Sequence, residues 1–464
     1  MKILLISSNL ASTPYSVYPL GLSMIAAALT KAGHNVRQFD FLHANRSPDA
    51  VANQITEYKP DIIGISIRNI DNANMLNPQK YIDAVKSITD IIRQHTRARV
   101  VLGGSGFSIM PELILEKVGA DYGIVGEGES LMVDLVQNLE KGKHPDKKCL
   151  YASLELTGKQ IPSAQYDSEI MKFYLKKGSI GSVQTKRGCP HKCIYCAYPI
   201  IEGPRIRCRD PREVVYDIKT LIHDHNAQHI FFTDSVFNDD KGYYIDVVKK
   251  MKQEEISIPW TAYFKPTGLT GQAIGLMKET GLAAAEVGAD ASTDKTLRKL
   301  GKSFKFKDIM KNNQLFAEHN IASAQFYIFG GPGETEDTVL EGIENIKSIE
   351  KTVSLMFMGI RILPCTIIAE IAQQQNIISK DEQLLEPVYY ISPEVDKDWM
   401  EHILTNAFNK SKRCIFPPDR LDDNLKFLHN MGYSGSLWEM LLLRKKRKKT
   451  TEPGAEIGDR GRTT

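Results

Sequence analysis

Residues 178–203 read GSIGSVQTKRGCPHKCIYCAYPIIEG and join a short apolar strand pattern to a loop with three cysteines. Cys189, Cys193 and Cys196 fall within eight residues, at the spacing C-x3-C-x2-C. Thiolates are soft metal ligands, and this spacing is neither that of a zinc ribbon nor that of a ferredoxin. A cube of four irons held by three thiolates leaves one iron without a protein ligand. The loop therefore predicts a catalytic metal centre rather than a structural one.

Two other interpretations of this loop stay open: a zinc site with His191 as fourth ligand, and three unrelated thiols. The total of seven cysteines is odd. The four outside the loop are scattered, at Cys149, Cys208, Cys365 and Cys414. Reduced thiols with one ligand cluster fit this usage better than disulfides. The last three of the scattered cysteines are expected to be buried small hydrophobic residues.

The cysteine loop follows the first of six strand patterns that alternate with helix patterns between residues 178 and 371. These strand patterns are GSVQTKRGC, HIFFTDSVF, PWTAYFKP, AAAEVGAD, ASAQFYIFGG and VSLMFMGIRIL. Six parallel strands are too few for a closed eight-stranded barrel. They predict a partial (β/α)6 barrel whose chemistry lies at the carboxyl ends of the strands.

Residues 1–145 also alternate strand and helix patterns, and their strands are apolar on both faces. This pattern predicts an α/β domain with a doubly wound, Rossmann-like parallel sheet, whose ligands lie beyond the carboxyl ends of its strands. Gly103 and Gly104 follow the fourth strand, and Gly126 and Gly128 follow the fifth, so both turns lie on that rim. They predict a site for a bulky planar ligand or its tail, or else only tight turns. The dinucleotide fingerprint G-x-G-x-x-G is absent.

The other predicted segments are a polar linker, a helical region and a tail. They comprise residues 146–177 as linker, 178–371 as barrel, 372–443 as helical region and 444–464 as a disordered basic tail that contains RKKRKK.

Length and composition are those of a globular protein, with 464 residues, 42% hydrophobic and 25% charged. A disordered or fibrous chain is excluded. The net charge of +3, from 59 basic and 56 acidic residues, is too small to predict a nucleic-acid partner. No apolar run reaches the roughly 20 residues needed to span a bilayer, and the first residues lack the pattern of a signal peptide. A cytoplasmic protein is therefore expected.

The loop C-x3-C-x-aromatic-C, at the end of the first strand of a six-stranded half-barrel, resembles that of the radical S-adenosylmethionine (SAM) enzymes. In that superfamily three cysteines bind a [4Fe-4S] cluster, and the open iron chelates SAM, which one electron cleaves to methionine and a 5′-deoxyadenosyl radical. The resemblance implies that Cys189, Cys193 and Cys196 are the cluster ligands and that Tyr195 lies beside the adenine. Core packing is the alternative for Tyr195.

Three segments of the N-terminal half, PLGLSMIAAALTKAGHNVRQFDF, VVLGGSG and YGIVGEGE, resemble the cobalamin-binding domain that precedes the radical SAM domain in one large subfamily. The cobalamin signature D-x-H-x-x-G is absent, because the loop after the first strand, SSNLASTPYS, has no histidine. The resemblance therefore implies cobalamin without a protein imidazole on cobalt, with its nucleotide tail near Gly103, Gly104, Gly126 and Gly128. A chain that binds no cobalamin is the alternative.

The resemblance extends to residues at the ends of the barrel strands. The implied SAM-binding residues are Tyr195, Asp234, Ser235, Glu286, Gly330, Gly331 and Arg361. Asp234 and Ser235 correspond to contacts with the SAM amino group, and a carboxylate there would satisfy an ammonium. Glu286 is a candidate for the ribose hydroxyls, with Asp290 a weaker one, and Arg361 suits a carboxylate. A helix cap or a surface ion pair is the alternative role for Asp234 and Glu286.

The closest subgroup comprises lipid-biosynthesis cobalamin-binding radical SAM proteins, which are broadly similar to anaerobic magnesium-protoporphyrin cyclase and hopanoid-modifying enzymes. The segments RGCPHKCIYCAYPIIEG, FFTDSVFN, AEVGADAS, LGKSF, IFGGPGET and GIRILPCT carry this resemblance. It implies methylation of an unactivated carbon of a small-molecule or lipid-like substrate, with SAM as methyl donor and radical source. An external donor such as flavodoxin or ferredoxin would supply electrons.

Three other functions are weighed against methyl transfer. They are a radical cyclase or oxidoreductase, a tRNA methylthiotransferase and a non-catalytic cobalamin or iron-sulfur sensor. The methylthiotransferase is disfavoured because its N-terminal domain carries a second three-cysteine cluster, whereas no cysteine here precedes Cys149. The final segment SLWEMLLLRKKRKK predicts either contact with an anionic membrane or a packed helix followed by a solvated tail.

Overall fold

The computed structural model describes residues 1–13, 15–152 and 155–442. Its N-terminal part contains the strands β1 Lys2–Ser7, β2 Asn35–Asp40, β3 Ile62–Ser66, β4 Arg99–Gly103, β5 Tyr122–Val125 and β6 Cys149–Tyr151. The helices between them are α1 Leu20–Lys31, α2 Pro48–Tyr58, α3 Ile82–His95, α4 Pro111–Val118 and α5 Glu129–Glu140. All six strands are parallel, in the order β2-β1-β3-β4-β5-β6.

This order puts β2 on one side of β1 and β3 on the other, so the direction of winding reverses between β1 and β3. Ligands of doubly wound sheets bind in the crevice at such a reversal. Residues Ile3–Ile6 of β1 are buried on both faces, as the apolar sequence predicts. Local signals set the helix ends: the Ser47 hydroxyl, for example, accepts a hydrogen bond from the Ala50 N–H at the start of α2.

The remaining strands and helices follow in two groups. The strands are β7 Ile180–Val183, β8 Lys186–Arg187, β9 Arg207–Cys208, β10 His229–Phe232, β11 Trp260–Phe264, β12 Leu282–Asp290, β13 Ala322–Phe329, β14 Thr352–Met358, β15 Ile360–Arg361, β16 Tyr389–Tyr390 and β17 Cys414–Ile415. The helices are α6 Ser168–Leu175, α7 Tyr198–Ile201, α8 Pro211–His223, α9 Tyr243–Gln253, α10 Gly271–Glu279, α11 Asp294–Lys299, α12 Phe306–Glu318, α13 Glu336–Ser348, α14 Ile367–Gln374, α15 Lys397–Phe408, α16 Asp422–Asn430 and α17 Trp438–Leu442.

The second sheet is the partial barrel that the sequence predicts. Strands β7, β10, β11, β12, β13 and β14 pair in chain order and all are parallel. The short strand β17 adds to the β14 edge. Each pair of neighbouring strands from β7 to β14 is joined through a segment that contains at least one helix, which is the repeat of a βα barrel.

The structure differs from the predicted segments in two places. Residues 146–177, predicted as a linker, include β6, which pairs with β5, and helix α6. The C-terminal region contains β16 and β17 besides its helices. The predicted disordered tail, 444–464, lies outside the described residues.

The two sheets share a hydrophobic core. One cluster of buried apolar side chains includes Leu102 and Phe107 from the first part, and Tyr327 and Met358 from the barrel. The carboxyl ends of both sheets therefore keep a defined separation. Within the described ranges no helix combines the length and the apolar character that crossing a bilayer requires.

Candidate active site between the two sheets

A cavity of about 350 Å³ lies between the carboxyl ends of the two sheets. Ser7 and Ser66, at the ends of β1 and β3, line it from the N-terminal side. Gln184, Thr233 and Tyr263, at or near the ends of barrel strands, line it from the other side. The volume falls in the usual range for small-molecule sites. The winding reversal of the first sheet and the mouth of the barrel thus form one site.

The predicted glycine rim borders this cavity. Gly103, Gly104, Gly126 and Gly128 all line it. Gly104 has φ +98°, and a Cβ there would lie 2.6 Å from the backbone oxygen of Ile67. Only glycine fits that position, so the turn can lie close to a neighbouring backbone and leave the cavity open. Contact between these four glycines and cobalamin stays a prediction.

The lining of the cavity fits a corrinoid that has no imidazole from the protein. Among the described residues, neither a histidine nor a cysteine belongs to that lining. Arg68, which follows β3, brings a positive charge that the sequence reasoning did not single out. Hydroxyl groups, glycine backbone and the Arg68 guanidinium suit the amide and phosphate groups of such a ligand.

The cysteine loop connects β8 to α7 at the mouth of the barrel. Gly188, directly before Cys189, has φ +89°, and a Cβ there would lie 2.0 Å from the Arg205 carbonyl oxygen. The Cys189 N–H donates to the Gly203 carbonyl at 3.1 Å. This glycine lets the loop fold back on the segment that follows it. The three loop thiols are free, as are the other four cysteines.

The thiols of the loop lie close enough to affect one another electrostatically. Burial raises the pKa of Cys189, and it raises the pKa of Cys196 to about 12, with further increases from the charge of Cys193. Such thiols lose their protons when a metal centre binds, so the ligands are thiolates. Three cysteines close together on one loop are the donor set that an iron-sulfur cube with one open iron requires.

Within the described ranges, no group of three or more His, Cys, Asp or Glu side chains is arranged to hold a single metal ion. The thiols of an iron-sulfur cube bind three different irons and do not converge on one point. The structure therefore gives no support to the zinc alternative with His191.

Lys302 is a charged residue at this loop that the sequence reasoning missed. Its ammonium donates to Cys193 Sγ at 3.0 Å and to the Tyr195 hydroxyl at 3.1 Å, and it forms an ion pair with Asp290. Its Nζ also lies 5.2 Å from the centre of the Tyr195 ring. Only its place in the segment LGKSF, which carries the family resemblance, signalled this residue.

The residues predicted to bind SAM fall into two groups. Tyr195 belongs to the cysteine loop, and the Ser235 hydroxyl donates to the Gly188 carbonyl at 3.2 Å beside it. The other group is buried and bonded within the protein. Its members are Asp234, Glu286, Gly330, Gly331 and Arg361.

The charged side chains of that second group have hydrogen-bond and ion-pair partners within the protein. Asp234 accepts hydrogen bonds from the Thr185 N–H and hydroxyl, at 2.7 and 2.6 Å, and pairs with the Lys186 ammonium at 3.1 Å. Arg361 pairs with Asp71 at 2.8 Å across the two domains. These carboxylate and guanidinium groups stabilise the fold where they stand, and their contact with SAM stays a prediction.

Gly330 and Gly331 lie at the end of β13, where the C-terminal region covers them. Gly330 has φ +89°, and its carbonyl accepts a hydrogen bond from the Ser392 N–H at 2.8 Å. A Cβ on Gly331 would lie 3.2 Å from Leu300 Cδ2. The positive φ of Gly330 favours glycine, whereas Gly331 meets only the ends of apolar side chains, so packing does not require glycine there.

Glu286 points from β12 into the barrel, where three parts of the chain meet. Its Oε1 accepts hydrogen bonds from the Tyr15 hydroxyl at 2.7 Å and from Trp438 Nε1 at 3.0 Å. Tyr15 belongs to the loop after β1, and Trp438 begins α17. Burial raises the pKa of Glu286 to about 7, although both bonds lower it. This contact joins the N-terminal loop and the last described helix to the barrel.

The raised pKa of Glu286 predicts a pH-dependent stability. The folded chain holds a proton that the unfolded chain releases between about pH 4.5 and pH 7, so this contribution is full below that range and is lost as pH rises through it. The loss is on the order of 3 kcal/mol. Glu286→Gln cannot ionise, so its unfolding midpoint relative to wild type should be higher at pH 8 than at pH 5.

Glu116→Gln, on the exposed side of α4, is the control for this measurement, and its difference from wild type should not change with pH. A Glu286→Gln protein that differs from wild type equally at pH 5 and pH 8 would show that the carboxyl titrates normally.

A buried charge network ties the glycine rim to the cysteine loop. Arg187 pairs with Glu127 at 2.9 Å and with Glu129 at 2.5 Å. Arg207 pairs with Glu127 at 2.5 Å. Burial raises the pKa of Glu129, but the Arg187 charge brings it below its usual value. Glu127 and Glu129 alternate with the predicted glycines, but the sequence does not show that they bind arginines of the barrel.

One expectation about the scattered cysteines is wrong. Cys414 is buried, as predicted, but Cys208 is only partly buried and Cys365 is exposed. Cys365 has φ +59° in the turn before α14, and this turn carries its side chain outwards. For the apolar part of the final segment, the structure agrees with the packed-helix alternative. Trp438 is 1% exposed and packs inside the barrel, so α17 is a packed helix.

Comparison with known proteins assigns both parts of the chain. Residues 6–136 match the B12 binding domain family, and residues 183–346 match the Radical SAM superfamily. The fold and the three-cysteine loop therefore define a radical SAM enzyme. The chain thus carries a B12-binding domain followed by a radical SAM domain. This confirms the predicted fold class and the predicted cofactors, which are cobalamin, a [4Fe-4S] cluster and SAM.

Proteins similar to this chain include a methyltransferase and a cyclase. Tryptophan 2-C-methyltransferase of Streptomyces laurentii is 23% identical over 454 residues, which cover 80% of this chain and 74% of that protein. Anaerobic magnesium-protoporphyrin IX monomethyl ester cyclase of Rubrivivax gelatinosus is 23% identical over 378 residues, 74% of this chain and 64% of that protein.

A solved structure shows the same fold over nearly the whole chain. It is that of the radical SAM methyltransferase TsrM from Kitasatospora setae with tryptophan and a SAM analogue bound. Its TM-score is 0.84 at 21% identity, and the match covers 95% of this chain and 97% of that one.

Proposed function

We propose that this enzyme transfers a methyl group from SAM to an unactivated carbon of a small-molecule or lipid-like substrate. One observation carries the proposal: the segment directly after Cys196 and the glycine rim of the B12-binding domain line the same cavity. Tyr198 and Glu202 line the cavity from the segment after Cys196, and Gly104 and Gly126 line it from the glycine rim. With cobalamin on the glycine side of that cavity, a substrate on its barrel side would lie between the two cofactors.

The cofactors supply the chemistry when they are bound: cobalamin carries methyl groups, and the cluster with SAM supplies a radical that removes hydrogen from carbon. The chain supplies a buried and rigid enclosure. The pairs of Arg187 with Glu127 and Glu129 hold the two rims together. Such an enclosure orients the reacting atoms and limits the access of water and oxygen.

An aromatic wall supports a substrate with a flat apolar part. Tyr15, Phe231, Tyr263 and Tyr198 all line the cavity. The ring of Phe231 lies 5.9 Å from that of Tyr15 and 5.0 Å from that of Tyr263. Tyr263 is 40% exposed and Tyr198 is 44% exposed. Aromatic faces of this kind pack well against planar or extended apolar groups.

The test is an anaerobic incubation of the reconstituted, cobalamin-loaded enzyme with SAM and a reductant, with L-tryptophan as the first substrate probe. Methyl transfer with radical formation predicts that both S-adenosylhomocysteine and 5′-deoxyadenosine form. Mass spectrometry should find a methylated product when a suitable substrate is present. The same protein without cobalamin is the control, and it should form little S-adenosylhomocysteine.

Formation of 5′-deoxyadenosine alone would favour the radical cyclase or oxidoreductase instead. Formation of S-adenosylhomocysteine alone would favour methyl transfer without a radical. Release of neither compound under reducing conditions would favour a cobalamin or iron-sulfur sensor.

Partners outside the active site form the last part of this proposal. A flavodoxin or ferredoxin would supply the electrons, and no nucleic acid is needed. The basic run at residues 444–449 suits contact with an anionic membrane surface. Since α17 is packed, the exposed apolar side chains nearest to that run in sequence are Phe427, Met431 and Tyr433. A lipid-like substrate would be presented at such a surface.

A further inference from the structure

The cysteine loop is clamped from outside by the short segment that follows α11. The Ile194 N–H, between two of the cysteines, donates to the Leu300 carbonyl at 3.2 Å. Gly301 has φ +76°, and a Cβ there would lie 2.4 Å from the Lys192 carbonyl oxygen. This close approach puts the next residue, Lys302, against the loop.

The ammonium of Lys302 has three donors and three partners. It donates to Cys193 Sγ and to the Tyr195 hydroxyl, and its ion-pair partner is Asp290. Its side chain is 8% exposed. These three partners hold the ammonium of Lys302 beside one sulfur of the loop.

Asp290 is held in an unusual backbone conformation for this contact. It has φ +63°, and the pairing of β12 with β13 shifts register between Gly288 and Asp290. A non-glycine residue in the left-handed region is strained, and it persists only where the surrounding structure holds it there. This register shift places the Asp290 carboxylate at the end of β12, where it pairs with the Lys302 ammonium.

We propose that Lys302, positioned by Asp290, sets the reduction potential of the cluster bound at Cys189, Cys193 and Cys196. The inference rests on the proposed function, because it requires that the loop bind the cluster. Reduction adds negative charge to an iron-sulfur cluster, and hydrogen bonds to its sulfurs and nearby charge set its potential. A positive charge beside Cys193 favours the reduced state. Lys302 is thus a positioning residue that makes electron uptake from the donor easier.

The test is a redox titration of the anaerobically reconstituted full-length enzyme, followed by electron paramagnetic resonance without SAM. Lys302→Met should bind the cluster but have an equilibrium constant for reduction at least about tenfold smaller. For one electron this is a midpoint about 59 mV more negative. Lys302→Arg keeps the charge and should stay nearer to wild type. Asp290→Asn leaves the ammonium less neutralised and should shift the midpoint in the opposite direction.

Lys299→Met is the matched control, since it removes the same charge from an exposed position on α11. Its midpoint should equal that of wild type. A cluster-loaded Lys302→Met enzyme with the wild-type midpoint would overturn this inference and leave the proposed function intact. If Lys302→Met takes up no cluster, Asp290→Asn decides: a midpoint more positive than that of wild type supports the inference, and an unchanged midpoint overturns it. A wild-type chain that binds no cluster would overturn the proposed function as well.

Discussion

Replacing Cys196 with alanine should abolish both cluster binding and SAM cleavage. Three thiolates are the minimum that holds the cube while one iron stays open, so the loss of one leaves two iron positions without a protein ligand. Iron and sulfide analysis should show a large loss of the cluster from the reconstituted variant. The formation of 5′-deoxyadenosine under reducing conditions should fall to background.

Cys365→Ala is the matched control for this variant. Cys365 is a free thiol in the turn before α14, exposed and outside the loop. Its replacement should leave the iron content and the SAM products as in wild type. A Cys196→Ala enzyme that still cleaved SAM would contradict both the assignment of the cluster ligands and the function proposed from them.

Replacing Arg187 with methionine should destabilise the protein by about 3–5 kcal/mol, the usual cost of leaving a buried partner charge uncompensated. Arg187 lies two residues before the first cluster cysteine and is 7% exposed. Its loss leaves Glu129 buried without its partner, and Glu129 Oε2 already lacks a hydrogen bond within the described structure. The urea midpoint of unfolding should fall, and cluster uptake should fall with it.

Arg205→Met tests whether burial is the cause. Arg205 also pairs with a glutamate, at 3.2 Å from Glu155, but its side chain is 79% exposed. Exposed ion pairs contribute about 0–1 kcal/mol, so this variant should unfold near the wild-type midpoint. Adding Glu129→Gln to Arg187→Met should recover part of the loss. Equal effects of Arg187→Met and Arg205→Met would show that the network between the domains adds little to stability.

The sequence predicted those features that depend on neighbours along the chain. Apolar runs such as KILLIS specified the strands, and the spacing of Cys189, Cys193 and Cys196 specified the metal loop. Glycines at the strand ends predicted the rim of a ligand site, and these glycines do line the cavity. The strands and the rim agree with the structure because periodicity is a local property, and the three cysteines as cluster ligands stay a prediction.

Tertiary structure alone decided which charged groups meet. Arg187 finds Glu129, 58 residues away, and Arg361 finds Asp71, 290 residues away. Lys302 lies 109 residues from Cys193 and yet donates to its sulfur. A charged side chain carries no mark of its partner in the sequence, because buried ions are paired by whichever opposite charge the fold brings within reach. The strands and the metal loop were therefore readable from the sequence, whereas the electrostatic surroundings of the site emerged only from the packing of the two domains.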